Sequence, residues 1–223
     1  EMAAPGVTTG ELDRAAEEFI ESKGAVPSFK GYRGFPATIC ASLNEEIVHG
    51  IPGRRKLSDG DLLKVDCGAI VDGYHADSAL TIAVGEVSDD ARRLMQVTEA
   101  SLKAGISAVR AGARVSDVSR AVQSCAESAG YSVVTEYTGH GIGRALHEDP
   151  KVPNYVTRGR WMGDPQLEIG CTLAIEPMVN VGTYRTRVED NGWTVVTRDG
   201  KLSAHFEHTV AVEKHGPVIL TLA

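Results

Sequence analysis

The strongest constraint on this chain is a two-residue turn. Asp72-Gly73 separates two runs, Leu62 to Val71 and Tyr74 to Val84, that are rich in apolar and β-branched residues. Asp-Gly between such runs specifies a tight antiparallel hairpin, because both turn positions need the left-handed backbone that these residues tolerate. A two-residue loop also sets the register: Val71 faces Tyr74, and counting back puts Gly68 opposite Asp77. Asp66 shares a face with Gly68, since side chains alternate. Asp66 and Asp77 are then diagonal neighbours, with backbones roughly 7–8 Å apart. Both carboxylates can lean onto one ion, for which the small Gly68 is expected to leave room. The bland alternative is a solvent-facing pair on a half-exposed hairpin, but LLKVDCGAIV is too apolar for a solvated strand.

Periodicity and caps place the other elements. Thr8 and Glu11 have capping-box spacing for a helix from about Thr8 to Lys23, with a stripe of Leu12, Ala15, Ala16, Phe19 and Ile20 and a stop at Gly24. Phe35 to Ile51 reads as a hairpin turning near Asn44. Ser88 caps a helix to about Arg110, and Ser116 caps another with a stripe of Val118, Ala121, Val122, Cys125 and Ala129. A Gly-rich loop is expected at Thr138 to Gly143, then a polar region to about Gly170, in which Arg158 to Asp164 reads as surface loop. A strand is expected from Thr172 to Val181, and a last hairpin from Trp193 to Thr197 and Leu202 to Val212, turning near Asp199-Gly200. Strands mix with helices without strict βαβ alternation, which predicts an α+β fold with mostly antiparallel pairing.

The second half of the chain also carries strand carboxylates. Glu176 sits in TLAIEPMVNV and Glu207 in LSAHFEHTVAV, both among apolar strand formers. A buried Glu without a partner loses its charge or destabilises the fold. Taken singly, each could be a salt-bridged core residue, yet Lys and Arg are scarce in these segments, Lys64 being the main exception. His140 lies between glycines in TGHGIGRALHEDP, which allow close backbone approach to a ligand. His147 comes seven residues later beside an acidic pair, and His49 ends a strand in IVHGIP. Four carboxylates drawn together would repel: two unit charges at about 4 Å cost ~4 kcal/mol at an effective dielectric of 20. Two divalent cations would balance them. Oxygen ligands with an imidazole suit Mn, Fe(II), Co or Zn, and such paired sites serve hydrolysis by ionising a shared water at neutral pH.

Composition excludes several other classes. The 223 residues carry a net charge of -7 and no Lys/Arg-dense stretch, which argues against nucleic-acid binding. The cysteines Cys40, Cys67, Cys125 and Cys171 form no CxxC pair, so a reducing compartment is expected; Cys67 and Cys125 read as buried small hydrophobes. No membrane-length apolar run is present. GHGIG lacks the spacing of a dinucleotide loop.

Taken in order, PGVTTGELD, GYRGFPATICASLNEEIVHGIP, DLLKVDCGAIVDGYHADSALT, GHGIGRALHEDP, AIEPM, GWTV and LSAHFEHTVAV resemble the type I methionine aminopeptidases, pita-bread enzymes of the M24 metallopeptidases. The resemblance runs along nearly the whole chain. It implies one catalytic domain over residues 1–223, an antiparallel sheet with pseudo-twofold halves covered by helices, and removal of N-terminal methionine when the second residue is small. It implies two divalent metal ions on Asp66, Asp77, His140, Glu176 and Glu207. Asp77 and Glu207 would bridge both ions, Asp66 would be bidentate on one, and His140 and Glu176 would complete the other. Glu176 would also handle protons from the attacking water, with His49 and His147 contacting the substrate and steadying the tetrahedral intermediate. The methionine pocket would draw on Tyr32, Phe35, Cys40, Leu146 and Trp193, whose soft and aromatic surfaces suit a thioether. A cytoplasmic monomer is expected, acting on the N-terminal Met-peptides of nascent chains at the ribosome, without nucleic-acid or membrane binding.

The chain departs from that pattern in places. Leu146 stands where an aromatic or methionine is common, His205 replaces a glutamine of the SAQ(F/Y)EHT pattern, and ADS comes after His75 in place of GDT or GDA. Only EMAA precedes PGVTT, so a form lacking the family's first helix is expected. Two other readings stand beside the leading one. A proline-directed aminopeptidase or prolidase relative would share the ligands but normally carries a large extra N-terminal domain. A metal-free pita-bread binding protein would have lost ligands, whereas all five positions here hold competent residues.

Overall fold

The computed structural model describes residues 2–156 and 164–222, so residues 158–163 of the expected surface loop lie outside the described residues. Helix α1 (Thr9–Ser22) opens on the expected reciprocal cap: Glu11 N donates to Thr8 Oγ1 at 3.2 Å and Thr8 N donates to Glu11 Oε2 at 2.8 Å. Phe19 does not join the buried stripe. It is 64% exposed, with the Lys23 ammonium 5.3 Å from its ring centre.

Strand β1 (Val26–Pro27) precedes β2 (Ile39–Leu43) and β3 (Glu46–Val48). The chain turns between β2 and β3 at Asn44, whose φ is 52°, but the expected hairpin does not form as a ladder. β2 pairs with the long strand β4 (Leu62–Val71), while β3 enters a different sheet. β4 and β5 (Tyr74–Ala83) keep one register from Leu62 opposite Ala83 to Val71 opposite Tyr74. Asp72 and Gly73 both adopt positive φ, 51° and 81°, as the turn requires. Gly68 faces Asp77 and Asp66 faces Ala79, so the diagonal carboxylate pair is present. The space at Gly68 is not kept for an ion, however. A side chain there would come within 2.8 Å of Phe29 Cε1 and Ser28 Cβ.

Helix α2 (Asp89–Ala108) is capped by Ser88, whose Oγ accepts from Ala91 N at 3.2 Å. Helix α3 (Val115–Ser128) starts earlier than expected, with Arg114 rather than Ser116 as its N-cap. The reason is long-range. Asp164 accepts from Ser116 N (3.0 Å) and from Ser116 Oγ (2.7 Å), so a distant carboxylate satisfies the helix start. Cys67 and Cys125 are half-buried rather than buried.

Next in the chain come β6 (Ser132–Val133), then β7 (Thr138–Gly141), a strand in place of the expected Gly-rich loop, and β8 (Glu148–Pro153) in the expected polar region. Its glycines allow β7 to pack tightly. A side chain on Gly139 would lie 2.3 Å from Ala174 O, and one on Gly141 2.3 Å from Asp149 O. The expected strand over Thr172 to Val181 is two strands, β9 (Thr172–Ile175) and β10 (Met178–Asn180), broken at Glu176-Pro177 because proline has no N–H for the ladder. β11 (Thr186–Val188) pairs with β12 (Val195–Thr197). The expected last hairpin is likewise absent, because β12 pairs with β11 and β3. The chain ends instead through β13 (Ser203–His205), β14 (Glu207–Glu213) and β15 (Gly216–Ile219).

The main sheet runs β1-β4-β5-β14-β9-β7-β8, with β2 on β4 and β15 on β14. β10 lies between β13 and β6, and β12 between β11 and β3. Every strand pairing among the described residues is antiparallel, as an α+β fold requires. Leu102 and Ile106 of α2 and Val115 and Val118 of α3 pack on Leu173 and Ile175 of β9 and Val210 and Val212 of β14. By strand alternation, that packing turns Glu176 and Glu207 to the opposite face of the sheet. No helix of the described residues is long and apolar enough to cross a membrane.

Candidate metal centre and substrate cleft

On that opposite face lies a cleft of about 160 Å³ lined by Asp66, Asp77, His140, Glu176 and Glu207 together with His49 and His147. Each reaches it by a different route. Asp66 and Asp77 come from the Asp-Gly hairpin. His140 comes from β7, which pairs its residue with Ala174 of β9. Glu176 and Glu207 sit where neighbouring strands leave and enter the main sheet: β14 pairs with β9 up to His208 opposite Ile175, and β13 pairs with β10 from His205 opposite Met178. Glu207 is in turn opposite Ala79 of β5.

The groups are close and mostly anionic. One ligand atom each from Asp77, His140 and Glu207 lie within 4.8 Å of one another. His140 Nε2 is 3.5 Å from Glu176 Oε1. His140 Nδ1 donates to Gly141 O at 2.8 Å, because a carbonyl can only accept, and this frees Nε2 to act as a lone-pair ligand. Burial pushes Asp66, Glu176 and Glu207 well above the usual carboxylate range, and the charge of Asp77 pushes each further. Asp77 itself is pushed up to about 7 by burial, against hydrogen bonds from Asp66 and the Ser78 backbone that lower it. Lys64 does not relieve this repulsion: its Nζ donates to Asn44 O at 2.8 Å, and burial drops its pKa to about 7.

Three buried carboxylate oxygens, Asp66 Oδ1, Asp77 Oδ1 and Glu207 Oε1, have no hydrogen-bond partner among the described residues. Such oxygens demand protons or cations. The donor set is four carboxylates and an imidazole with a free Nε2, so these residues fit divalent ions of the hard-to-borderline kind. A solvated surface pair, the bland reading of Asp66 and Asp77, is overturned.

The rest of the cleft is apolar. Phe35, Cys40 and Leu146 are buried together, with Tyr32 and Trp193 packed against them. Trp193 meets Phe35 edge-on at 5.1 Å between ring centres. Cys40 lies opposite Asp66 in the β2–β4 register, which joins this apolar wall to the acidic floor. His49 has positive φ (60°) and packs edge-on against Tyr137 and Trp193; burial holds it neutral, with a pKa of about 4. His147 stands at the mouth, its Nδ1 2.9 Å from Tyr32 OH and its ring 4.2 Å from that of His140. Burial, and then the neighbouring His140, lower its pKa. All twelve residues expected from the sequence line this one cleft. Phe29 and Arg33 line it too, and the sequence reading missed both. SFKGYRGF spaces Phe29, Tyr32 and Phe35 three apart, a signal that marks Phe29 with the other two. His205 stands out in the sequence only as a departure; it is buried beneath Glu176, and burial pushes its pKa down to about 3.

The sequence profile of metallopeptidase family M24 matches residues 1–214. The chain is 55% identical over 221 residues to the methionine aminopeptidase of Clostridium acetobutylicum, an alignment spanning 99% of this chain and 87% of that protein. It is similar to the crystal structure of methionine aminopeptidase from Rickettsia prowazekii, with a TM-score of 0.94 and 44% identity over 99% of this chain and 88% of that one. Prolidase from Pyrococcus furiosus shares the fold alone: the TM-score is 0.79 at 20% identity, and this chain covers 58% of that one.

Proposed function

The chain belongs to metallopeptidase family M24, and from that premise we propose how its cleft removes N-terminal methionine. The activity is metal-dependent hydrolysis of the bond after an N-terminal methionine. Asp66, Asp77, His140, Glu176 and Glu207 would hold two divalent ions, Mn, Fe(II), Co or Zn, which when bound supply Lewis acidity and a water ionised at neutral pH.

The chain's own residues do the rest. Phe35, Cys40, Leu146, Tyr32 and Trp193 enclose the methionine side chain against soft and aromatic surface. The free α-amino group then lies toward the acidic floor, which favours a cation. Glu176 accepts a proton during attack and returns it to the leaving amine; burial, and then the charge of Asp77, raise its proton affinity. His49, neutral and wedged between Tyr137 and Trp193, donates an N–H to the developing oxyanion. His147, oriented through Nδ1 by Tyr32 OH, turns Nε2 to the scissile amide. The stacked rings of Tyr32 and His147, with centres 5.3 Å apart, crowd the side of the cleft where the second residue would lie, which favours a small one. The substrates on this reading are nascent chains at the ribosome, met by a monomer in the cytoplasm.

The single observation that carries this reading is the set of orphaned buried carboxylate oxygens in one cleft with an apolar wall. Elemental analysis of purified protein, together with methionine release from Met-Ala-Ser and cleavage of an X-Pro peptide, tests it. Two metal equivalents and release from Met-Ala-Ser alone are expected. Full turnover by chelator-stripped protein, or cleavage of the X-Pro peptide only, overturns it.

A further inference from the structure

One buried group near the cleft has no task in this mechanism. His205 is 1% exposed, and neither ring nitrogen has a hydrogen-bond partner among the described residues. An imidazole carries at least one N–H whatever its charge, and a buried donor left unpaired is destabilising. The backbone of His205 is pinned. Its N donates to Thr81 Oγ1 at 2.9 Å, and Thr81 Oγ1 donates back to its carbonyl at 2.7 Å. The β10–β13 register sets it opposite Met178, and the next residue, Phe206, donates its N–H to Pro177 O at 3.4 Å. These bonds deliver the ring to Glu176. His205 Nε2 lies 3.7 Å from Glu176 Oε2, while His140 Nε2 lies 3.5 Å from Oε1.

The two oxygens of Glu176 therefore face different imidazoles. The His140 ring has its Nδ1 committed to Gly141 O, so it offers a lone pair. Nothing commits the His205 ring, so its Nε2 is free to carry the proton. At 3.7 Å the contact is longer than a hydrogen bond, and a small rotation of the carboxylate closes it.

Resting on the reading of Glu176 as a metal ligand, we propose that His205 is a positioning residue whose Nε2–H donates to Glu176 Oε2 and so holds Oε1 in place beside His140. Groups that orient a ligand in this way typically change metal affinity by about 10–100-fold when lost. A histidine that merely fills the core would instead tolerate an apolar replacement of similar size.

The test compares His205→Leu, His205→Gln and Glu176→Gln in the full chain, by Mn titration calorimetry and by kcat and KM on Met-Ala-Ser. His205→Leu is expected to weaken Mn binding about 10–100-fold and to lower kcat with little change in KM. His205→Gln, which keeps an N–H donor, is expected to recover most of both. Unchanged Mn affinity in His205→Leu, with weakened affinity in Glu176→Gln, overturns the proposal and leaves the ligand reading intact. Unchanged affinity in Glu176→Gln overturns the ligand reading beneath it. If His205→Leu fails to fold, nitrogen NMR of the Zn-loaded parent decides: a proton on Nε2 of His205 supports the proposal, and a bare or metal-bound Nε2 ends it.

Discussion

Asp66 and Asp77 sit on one uninterrupted hairpin, whereas Glu176 and Glu207 sit at breaks. The first pair is placed by turn chemistry: Asp72 and Gly73 take positive φ, and ten residue pairs later the ladder is still in register. The second pair is placed by two strands that change sheets side by side. β9 gives way to β10 at Glu176-Pro177, and β13 gives way to β14 at Phe206. Proline ends one ladder, and Phe206 turns away to pack with the helix-side core. At these breaks the chain passes from one sheet to the other, while alternation with Ile175 and Val210 keeps Glu176 and Glu207 on the face opposite the helices, where they reach a common floor. Acidic groups that must converge can thus be set either by local geometry or by the crossing of two sheets.

If both routes serve one cationic centre, losing a carboxylate from either must have the same consequence. Asp77→Asn and Glu207→Gln are each expected to drop methionine release to background and to lower metal content, measured by turnover and elemental analysis. Retained turnover in one but not the other would show that the two pairs are not equivalent. His147→Ala is expected to lower kcat by roughly 10²–10⁴-fold while leaving the metal content of the protein unchanged; an unaltered kcat removes it from the chemistry.

Metal removal should expose the repulsion between the two pairs. The folded pKa of Asp77 is raised from 3.8 to about 7, and those of Asp66, Glu176 and Glu207 are raised as well. The folded metal-free protein therefore binds more protons than the unfolded chain between those values. This stabilisation is fully present below the unfolded pKa and is lost as pH rises through the folded one. Chelator-treated protein should accordingly melt at a lower temperature at about pH 8 than at about pH 6. Mn at about 100 times its Kd should restore about 2.7 kcal/mol per site and flatten that dependence. A melting temperature that rises with pH in the stripped protein contradicts this. The smallest effect belongs to the turn that sets the first pair. Gly73→Ala, at φ 81°, should cost roughly 1–2 kcal/mol and leave metal content intact. Calorimetric melting with elemental analysis checks both.

The sequence carried more of the site than of the fold around it. Asp-Gly chemistry and strand period sufficed for Asp66 and Asp77, and the caps of α1 and α2 sufficed for those helices. Acids set among apolar strand formers marked Glu176 and Glu207, glycine- and proline-flanked turns marked the three cleft histidines, and motif order added their roles. The features that stayed hidden depend on partners far along the chain. Ser116 looks like a cap, but Asp164 satisfies the start of α3 from 48 residues away. The glycines of TGHG look like a loop, yet they allow a strand to sit tightly on Ala174 and Asp149. β2 and β3 read as a hairpin because the turn at Asn44 is real, while the choice of different sheets is made by β4 and β12. The room at Gly68 belongs to Phe29 because the SFKGYRGF segment folds over the hairpin, which no local pattern announces.

The central claim is that carboxylates from a hairpin and from a sheet crossover share one pair of ions. An anomalous-scattering map from Mn-soaked crystals tests it most directly. Two peaks about 3.5–4 Å apart, flanked by Asp77 and Glu207 with Asp66 on one side and His140 and Glu176 on the other, are the predicted result. Peaks confined to one pair of carboxylates, or none in the cleft, would contradict it.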